Sequence, residues 1–175
     1  MDPSILTLCL LLKHLVALVR GELASHFTVT GQEIILNTSN YVGFKRKDVF
    51  ITNAVLCNPL KNGNNRRPTT KEISNCIPFL ENLISIIAPK IISTVGGVGL
   101  QAINRIFETR YKLSDVVAKP LPIGKFILFP LYHPSPRVIH TKRSLDQQKK
   151  DFKKLLNNLP LSSQLRIPKE QSQNN

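Results

Sequence analysis

Acidic side chains are scarce in this chain of 175 residues. Eleven Asp and Glu stand against 24 Lys and Arg, leaving a formal charge of +13. That imbalance favours a polyanion, nucleic acid or an acidic membrane face, unless the charge only serves solubility or a basic tail. Long apolar runs are missing too. The longest candidate, "SILTLCLLL", is broken by Lys13 and His14 and is too short to span a bilayer. It opens on Asp2 rather than a basic segment, which is not how a signal peptide begins. The expectation is a cytoplasmic protein that makes no use of a membrane. Cysteine is sparse and odd in number: Cys9, Cys57 and Cys76. In a reducing compartment this excludes a disulfide framework. Cys57 and Cys76 are 19 positions apart, which is not a zinc-finger spacing, so free core thiols or a metal or cluster site remain. "GGVG" (96–99) has no Lys-Ser/Thr after it, so it is not a P-loop; it reads as a tight strand-to-helix turn or a phosphate cradle. No internal repeat is visible.

What is present is enough for one domain with a real core. Hydrophobic residues make up 42% of the chain, which excludes wholesale disorder. The domain is expected over 1–159, with 160–175 a loose polar tail. Four short β-branched or aromatic runs predict strands: "VALVR" (16–20), "DVFIT" (48–52), "KIISTV" (90–95) and "KFILFP" (125–130). They lack clean alternation, as parallel strands covered on both faces do. Helical patterns lie between them. The clearest starts at Thr69, where Glu72 completes a capping box. It turns Ile73, Cys76, Ile77, Leu80, Leu83, Ile84 and Ile87 to one face, with Pro78 inside and Pro89 beyond its end. Other helices are expected at 32–40, 100–107 and 144–156. Alternating strands and helices predict an α/β fold, a three-layer α/β/α sandwich around a four-stranded parallel sheet. Ligands in such sheets gather beyond the carboxyl ends of the strands.

Chemistry-bearing residues fall at those ends. Asn53 closes the second strand. Its planar amide offers an acceptor and two donors, fit to pair with a base edge or simply to cap a turn. "YHPSP" puts His133 just beyond the last strand, where an imidazole can donate to a developing anion. Pro134 and Pro136 stiffen the loop, Ser135 brings a hydroxyl, and Arg137 and Val138 fall at its tip; the segment is equally compatible with a rigid structural turn. Lys142, Arg143, Lys149, Lys150, Lys153 and Lys154 follow directly, as a phosphate-tracking surface or a solvated helix face.

Taken together, "DVFITNAVLCNP", "NRRPTTKEISNCIPFLENLISIIAPKIISTVG", "FPLYHPSPRV" and "DQQKKDFKKL" resemble the uracil-DNA glycosylase superfamily in order and spacing. The likeness is strongest to its iron–sulfur branch, family 4, with some to family 5, and it covers about 31–156. The resemblance implies the fold expected above and a set of roles. Asn53 reads the uracil edge and Phe27 stacks on the base. His133 hydrogen-bonds uracil O2 as the glycosidic bond breaks. Pro134, Ser135, Pro136, Arg137 and Val138 form the wedge that enters the minor groove, with Lys142 and Arg143 on DNA. Cys57 and Cys76 match two of four ligands to a [4Fe–4S] cluster, a structural cofactor. Cys9, twelve residues before "GE" (21–22), falls where another ligand belongs, while the fourth position falls at Leu6. The first 30 residues diverge from the family, and much of its water-positioning loop is absent after Glu22, which alone matches the catalytic carboxylate region. The implied function is base-excision repair in a bacterium or archaeon: a monomeric enzyme that hydrolyses the N-glycosidic bond of flipped-out deoxyuridine in DNA. The alternative is a catalytically inactive DNA-binding relative of the same fold.

Overall fold

The computed structural model describes residues 8–12, 49–57 and 59–158. Strand β1 (Leu8–Leu12) and strand β2 (Val49–Asn53) open the described chain. A small antiparallel hairpin, β3 (Leu60–Lys61) and β4 (Asn64–Asn65), turns through Asn62 and Gly63, both at positive φ. Then come helix α1 (Thr70–Ile87), strand β5 (Ile91–Val95), helix α2 (Gly97–Ile106) and the short helix α3 (Leu113–Val116). Strands β6 (Leu121–Ile123) and β7 (Phe126–Leu131), and helices α4 (Pro136–Thr141) and α5 (Leu145–Asn157), complete it.

The main sheet runs β2-β1-β5-β7-β6. The first four strands of that order are mutually parallel, and β6 pairs antiparallel with β7. The sheet is therefore mixed and five-stranded, not the all-parallel four-stranded sheet expected. β1 lies at Leu8–Leu12, whereas the strand expected at 16–20 and the helix expected at 32–40 fall outside the described residues.

Alternation along the inner strands sends side chains to two cores. Ile92, Phe126 and Leu128 face one side, where α1 lays Ile73, Cys76, Leu80 and Ile84 and α2 lays Val98, Ala102 and Ile103. Ile91, Val95, Phe129 and Leu131 face the other and meet Phe152 and Leu155 of α5. Each fully buried aliphatic or aromatic side chain contributes about 1.5–3 kcal/mol. Helices thus cover both faces of the sheet. α1 starts on the capping box: the Glu72 N–H donates to Thr69 Oγ1 at 3.3 Å, and the Thr69 N–H donates to Glu72 Oε2 at 2.7 Å. It runs through Pro78 and ends where Ala88 turns left-handed (φ 44°), with Pro89 next. Leu83, Ile77 and Ile87, expected on its buried face, are only half-buried.

Pro130 sits inside β7 without breaking it. Its carbonyl accepts from the Ala118 N–H at 2.8 Å, so its donor-less side points away from β5. β6 pairs with β7 only from Phe126 to Leu128, so no ladder bond is lost. Leu131 points the other way, its carbonyl accepting from the Gly96 N–H at 2.7 Å. That bond ties the end of β7 to the start of α2, where the site lies. No helix among the described residues is long and apolar enough to cross a membrane.

Candidate active-site cleft

The carboxyl ends of β5 and β7 border a cleft of about 570 Å³. Its floor is Val95, Gly96, Gly97 and Val98, the junction of β5 with α2. His133, between Tyr132 and the buried Pro134, enters from the end of β7, together with Ser135. Arg137, Val138, Thr141 and Lys142 line the side formed by α4. Arg67 and Leu113 line it too, Arg67 arriving from the segment before α1. Three cations and no carboxylate line this cleft among the described residues. The start of α2 has no side-chain cap, so the positive end of its dipole adds to the field.

Two backbone devices aim His133. Gly96 has φ 96° and ψ 170°, a region that only glycine occupies without strain. A Cβ there would lie 3.3 Å from the His133 Cβ, so the imidazole-bearing backbone packs directly on the glycine. The Ser135 N–H then donates to the His133 carbonyl at 2.8 Å, closing a tight turn. Pro136, expected in a stiff loop, is helical. It opens α4 at the first helical position, where a missing N–H costs nothing. Arg137 and Val138 are accordingly helical, not loop, residues.

Asn53 ends β2, which two strands, β1 and β5, separate from β7. It pairs in register with Leu12, one step beyond the Leu11–Thr94 pair, so it stands level with Val95 and Leu131 on the same edge of the sheet. Three strand spacings separate its Cα from β7, roughly 14 Å. Asn53 is not among the residues lining the cleft. Its Oδ1 is nonetheless buried and has no hydrogen-bond partner among the described residues. An orphan acceptor of this kind costs about 1–3 kcal/mol unless something supplies a donor.

Arg143 departs from expectation. Its guanidinium grips the carboxylate of Asp151 with two nitrogens, Nη2 donating to Oδ1 at 2.7 Å and Nε to Oδ2. Asp151 is 1% exposed, and its carboxylate holds the guanidinium above its ordinary pKa. Arg143 is thus a brace between the end of α4 and α5. Lys142 beside it faces the cleft. Phe27 and Glu22 lie outside the described residues.

The model of the Uracil DNA glycosylase superfamily matches residues 12–159. The chain belongs to the uracil-DNA glycosylase superfamily. A type-4 uracil-DNA glycosylase of Sulfurisphaera tokodaii is 36% identical over 122 residues, 65% of this chain and 52% of that protein. One from Saccharolobus solfataricus is 30% identical over 146 residues, covering 77% of this chain and 64% of the relative. A type-5 uracil-DNA glycosylase of Pyrobaculum aerophilum is 30% identical over 104 residues, 58% of this chain and 42% of its own length. The chain therefore spans about half to two thirds of the length of the type-4 relatives it matches.

An iron–sulfur cluster of the kind the resemblance implies takes four thiolates. The Leu56 N–H donates to Cys76 Sγ at 3.4 Å, which brings Cys57, the next residue, beside Cys76. Partial desolvation, then the charges of Cys76 and Glu72, push the Cys57 thiol up. Cys9 occupies β1 level with Phe50 and Ile92, three register steps below Asn53, or about 10 Å short of the carboxyl edge. Cys57 lies four residues beyond that edge. No group of three His, Cys, Asp or Glu able to hold a metal occurs among the described residues. Among the described residues, Cys57 and Cys76 are neighbouring free thiols joined by no third donor, and these alone do not complete a cluster site.

Sequence reasoning missed Arg67, Tyr132 and Thr141 in the cleft, while Gly96–Gly97 stands at the strand end where it was expected. The glycine pair was visible as a turn. Nothing in "NGNNRRP" distinguishes Arg67 from Arg66, because their difference is a tertiary contact.

Proposed function

We propose that this protein is a uracil-DNA glycosylase that removes uracil flipped out of DNA. The reading is carried by the buried Oδ1 of Asn53, which has no hydrogen-bond partner among the described residues and stands on the sheet edge that also bears His133. Uracil N3–H is a donor and O4 an acceptor, which suits an amide presenting Oδ1 and Nδ2. Cytosine reverses both positions and would leave each amide atom facing its like. A base must leave the stack to reach such a pocket, at a cost of a few kcal/mol. The cations of the cleft draw in the flanking phosphates. As the C1′–N1 bond breaks, positive charge grows on the sugar and negative charge on the uracil ring. His133 donates to uracil O2 and stabilises that anion. Water supplies hydroxide to C1′ and a proton to the departing base, leaving free uracil and an abasic sugar.

A second reading has its own observation. No Asp or Glu lines the cleft among the described residues, so no carboxylate among them activates water. On that reading the protein binds DNA without cutting the glycosidic bond. Single-turnover assays on a duplex with one deoxyuridine decide between the two. A glycosylase yields abasic product, and His133→Ala slows it by about 10²–10³-fold with DNA binding retained. Binding without product establishes the inactive reading. Unchanged cleavage in His133→Ala refutes the role given to the imidazole.

A further inference from the structure

The two adjacent arginines before α1 have different fates. Arg66 is engaged at all three nitrogens: its Nη1 and Nη2 donate to the Glu72 carboxylate at 2.8 and 2.7 Å, and its Nε donates to the Leu60 carbonyl at 3.2 Å. Its Nη1 also donates to the Arg67 carbonyl at 3.1 Å. The hairpin is closed beneath it by the Arg66 N–H bonded to the Pro59 carbonyl at 3.0 Å. Arg66 therefore fixes the backbone of Arg67, and the buried Pro68 fixes it from the other side. The Arg67 side chain is exposed, lines the cleft, and spends one nitrogen, Nη2, on Gln101 Oε1 of α2 at 3.2 Å. A guanidinium carries five N–H donors in a planar fork. The Gln101 contact orients that fork without exhausting it.

The cleft's other cations come from elsewhere. Arg137 lies in α4 and Lys142 caps its end, in the segment leading to α5 on the opposite face of the sheet. Arg67 comes from the side of α1 and α2. Positive charge thus reaches the cleft from both faces, with the β5–α2 turn between. We propose that Arg67 is a phosphate ligand that grips the DNA backbone across the cleft from Arg137 and Lys142, so that the strand is held on both sides of His133. The assignment rests on the reading of this cleft as a DNA site, but not on cleavage of the glycosidic bond.

The test is the salt dependence of binding by the full chain, measured by fluorescence anisotropy on a deoxyuridine duplex and its thymidine counterpart. Each phosphate contact contributes about 0.9 to the slope of log K against log salt. Arg67→Gln is expected to lower that slope by about 0.9 on both duplexes, weakening each equally. Arg67→Lys keeps the charge and the slope. Lys125→Gln serves as control: Lys125 is exposed at the amino end of β7, away from the cleft, and its loss leaves the slope intact. A slope unchanged in Arg67→Gln overturns the proposal even if the wild type cleaves uracil, as does a wild type whose DNA binding ignores salt. A wild type that binds with a steep slope, loses part of it in Arg67→Gln and releases no uracil supports Arg67 while refuting the glycosylase reading. Thermal melts of both Arg67 variants confirm that they fold.

Discussion

Gly96→Ala is the substitution that most directly tests how the cleft is built. Its cost comes from two sources visible in the geometry. An L-residue at φ 96° and ψ 170° is strained by about 1–3 kcal/mol. The new methyl also meets the His133 Cβ at 3.3 Å, so one of the two must give by a few tenths of an ångström. For a chain of this size each kcal/mol lowers the melting midpoint by about 2–4 °C, so the expected drop is about 2–12 °C. Misplacing a catalytic group by 1 Å costs about 100-fold, and a shift of 0.3–0.5 Å scales to about 4–10-fold. Melting by calorimetry gives the first quantity. Single-turnover release of uracil, measured well below the variant's midpoint, gives the second. Gly97→Ala is the matched comparison: it is the next residue, with nothing within 4 Å of the added Cβ and no positive φ. If Gly96→Ala melts and cleaves like Gly97→Ala, the close packing of glycine on histidine is not what aims the imidazole.

Two further outcomes follow from ion pairs outside the cleft. Arg143→Ala leaves the buried Asp151 carboxylate unpaired and is expected to destabilise the protein by about 3 kcal/mol, against under 1 kcal/mol for the exposed Lys150→Ala; equal chemical-denaturation midpoints for the two variants would contradict the bracing role. Glu72 is held down to about 2, first by the hydrogen bonds from Arg66 and next by the Thr69 N–H. A carboxyl depressed in the folded state adds stability above its ordinary value of 4.5 and loses it as pH falls through about 2, so Glu72→Gln should flatten the stability profile across that interval, and an unaltered profile refutes the linkage.

Local chemistry made much of this legible in the sequence. The Thr69–Glu72 capping box, the Ile73–Cys76–Leu80–Ile84 face and the strand exits at Asn53 and His133 depend on neighbours within a few residues, and they stand as read. β1 escaped because Leu8–Leu12 is uniformly apolar and carries no period, while 16–20 looked equally strand-like. β6 escaped because three residues with a proline carry no strand signal. Pro136 was read as stiffening a loop, since a proline suits a rigid turn and a first helical turn equally. Arg143 was indistinguishable from its cationic neighbours until Asp151, eight positions on and buried, was seen to claim it. The same holds for Arg66 and Arg67, one locked and one facing the cleft. Charge is written in the sequence, but its commitments are made in three dimensions.

The prolines at one end of the sheet have a consequence for how the molecule behaves in a crowd. β6 is the border strand, only three residues long and interrupted by Pro122; beyond its reach, Pro130 leaves β7 without a donor on the outward side. A border so blunted gives a stray polypeptide nothing to zip onto, so this flank resists the edge-to-edge stacking that seeds aggregates.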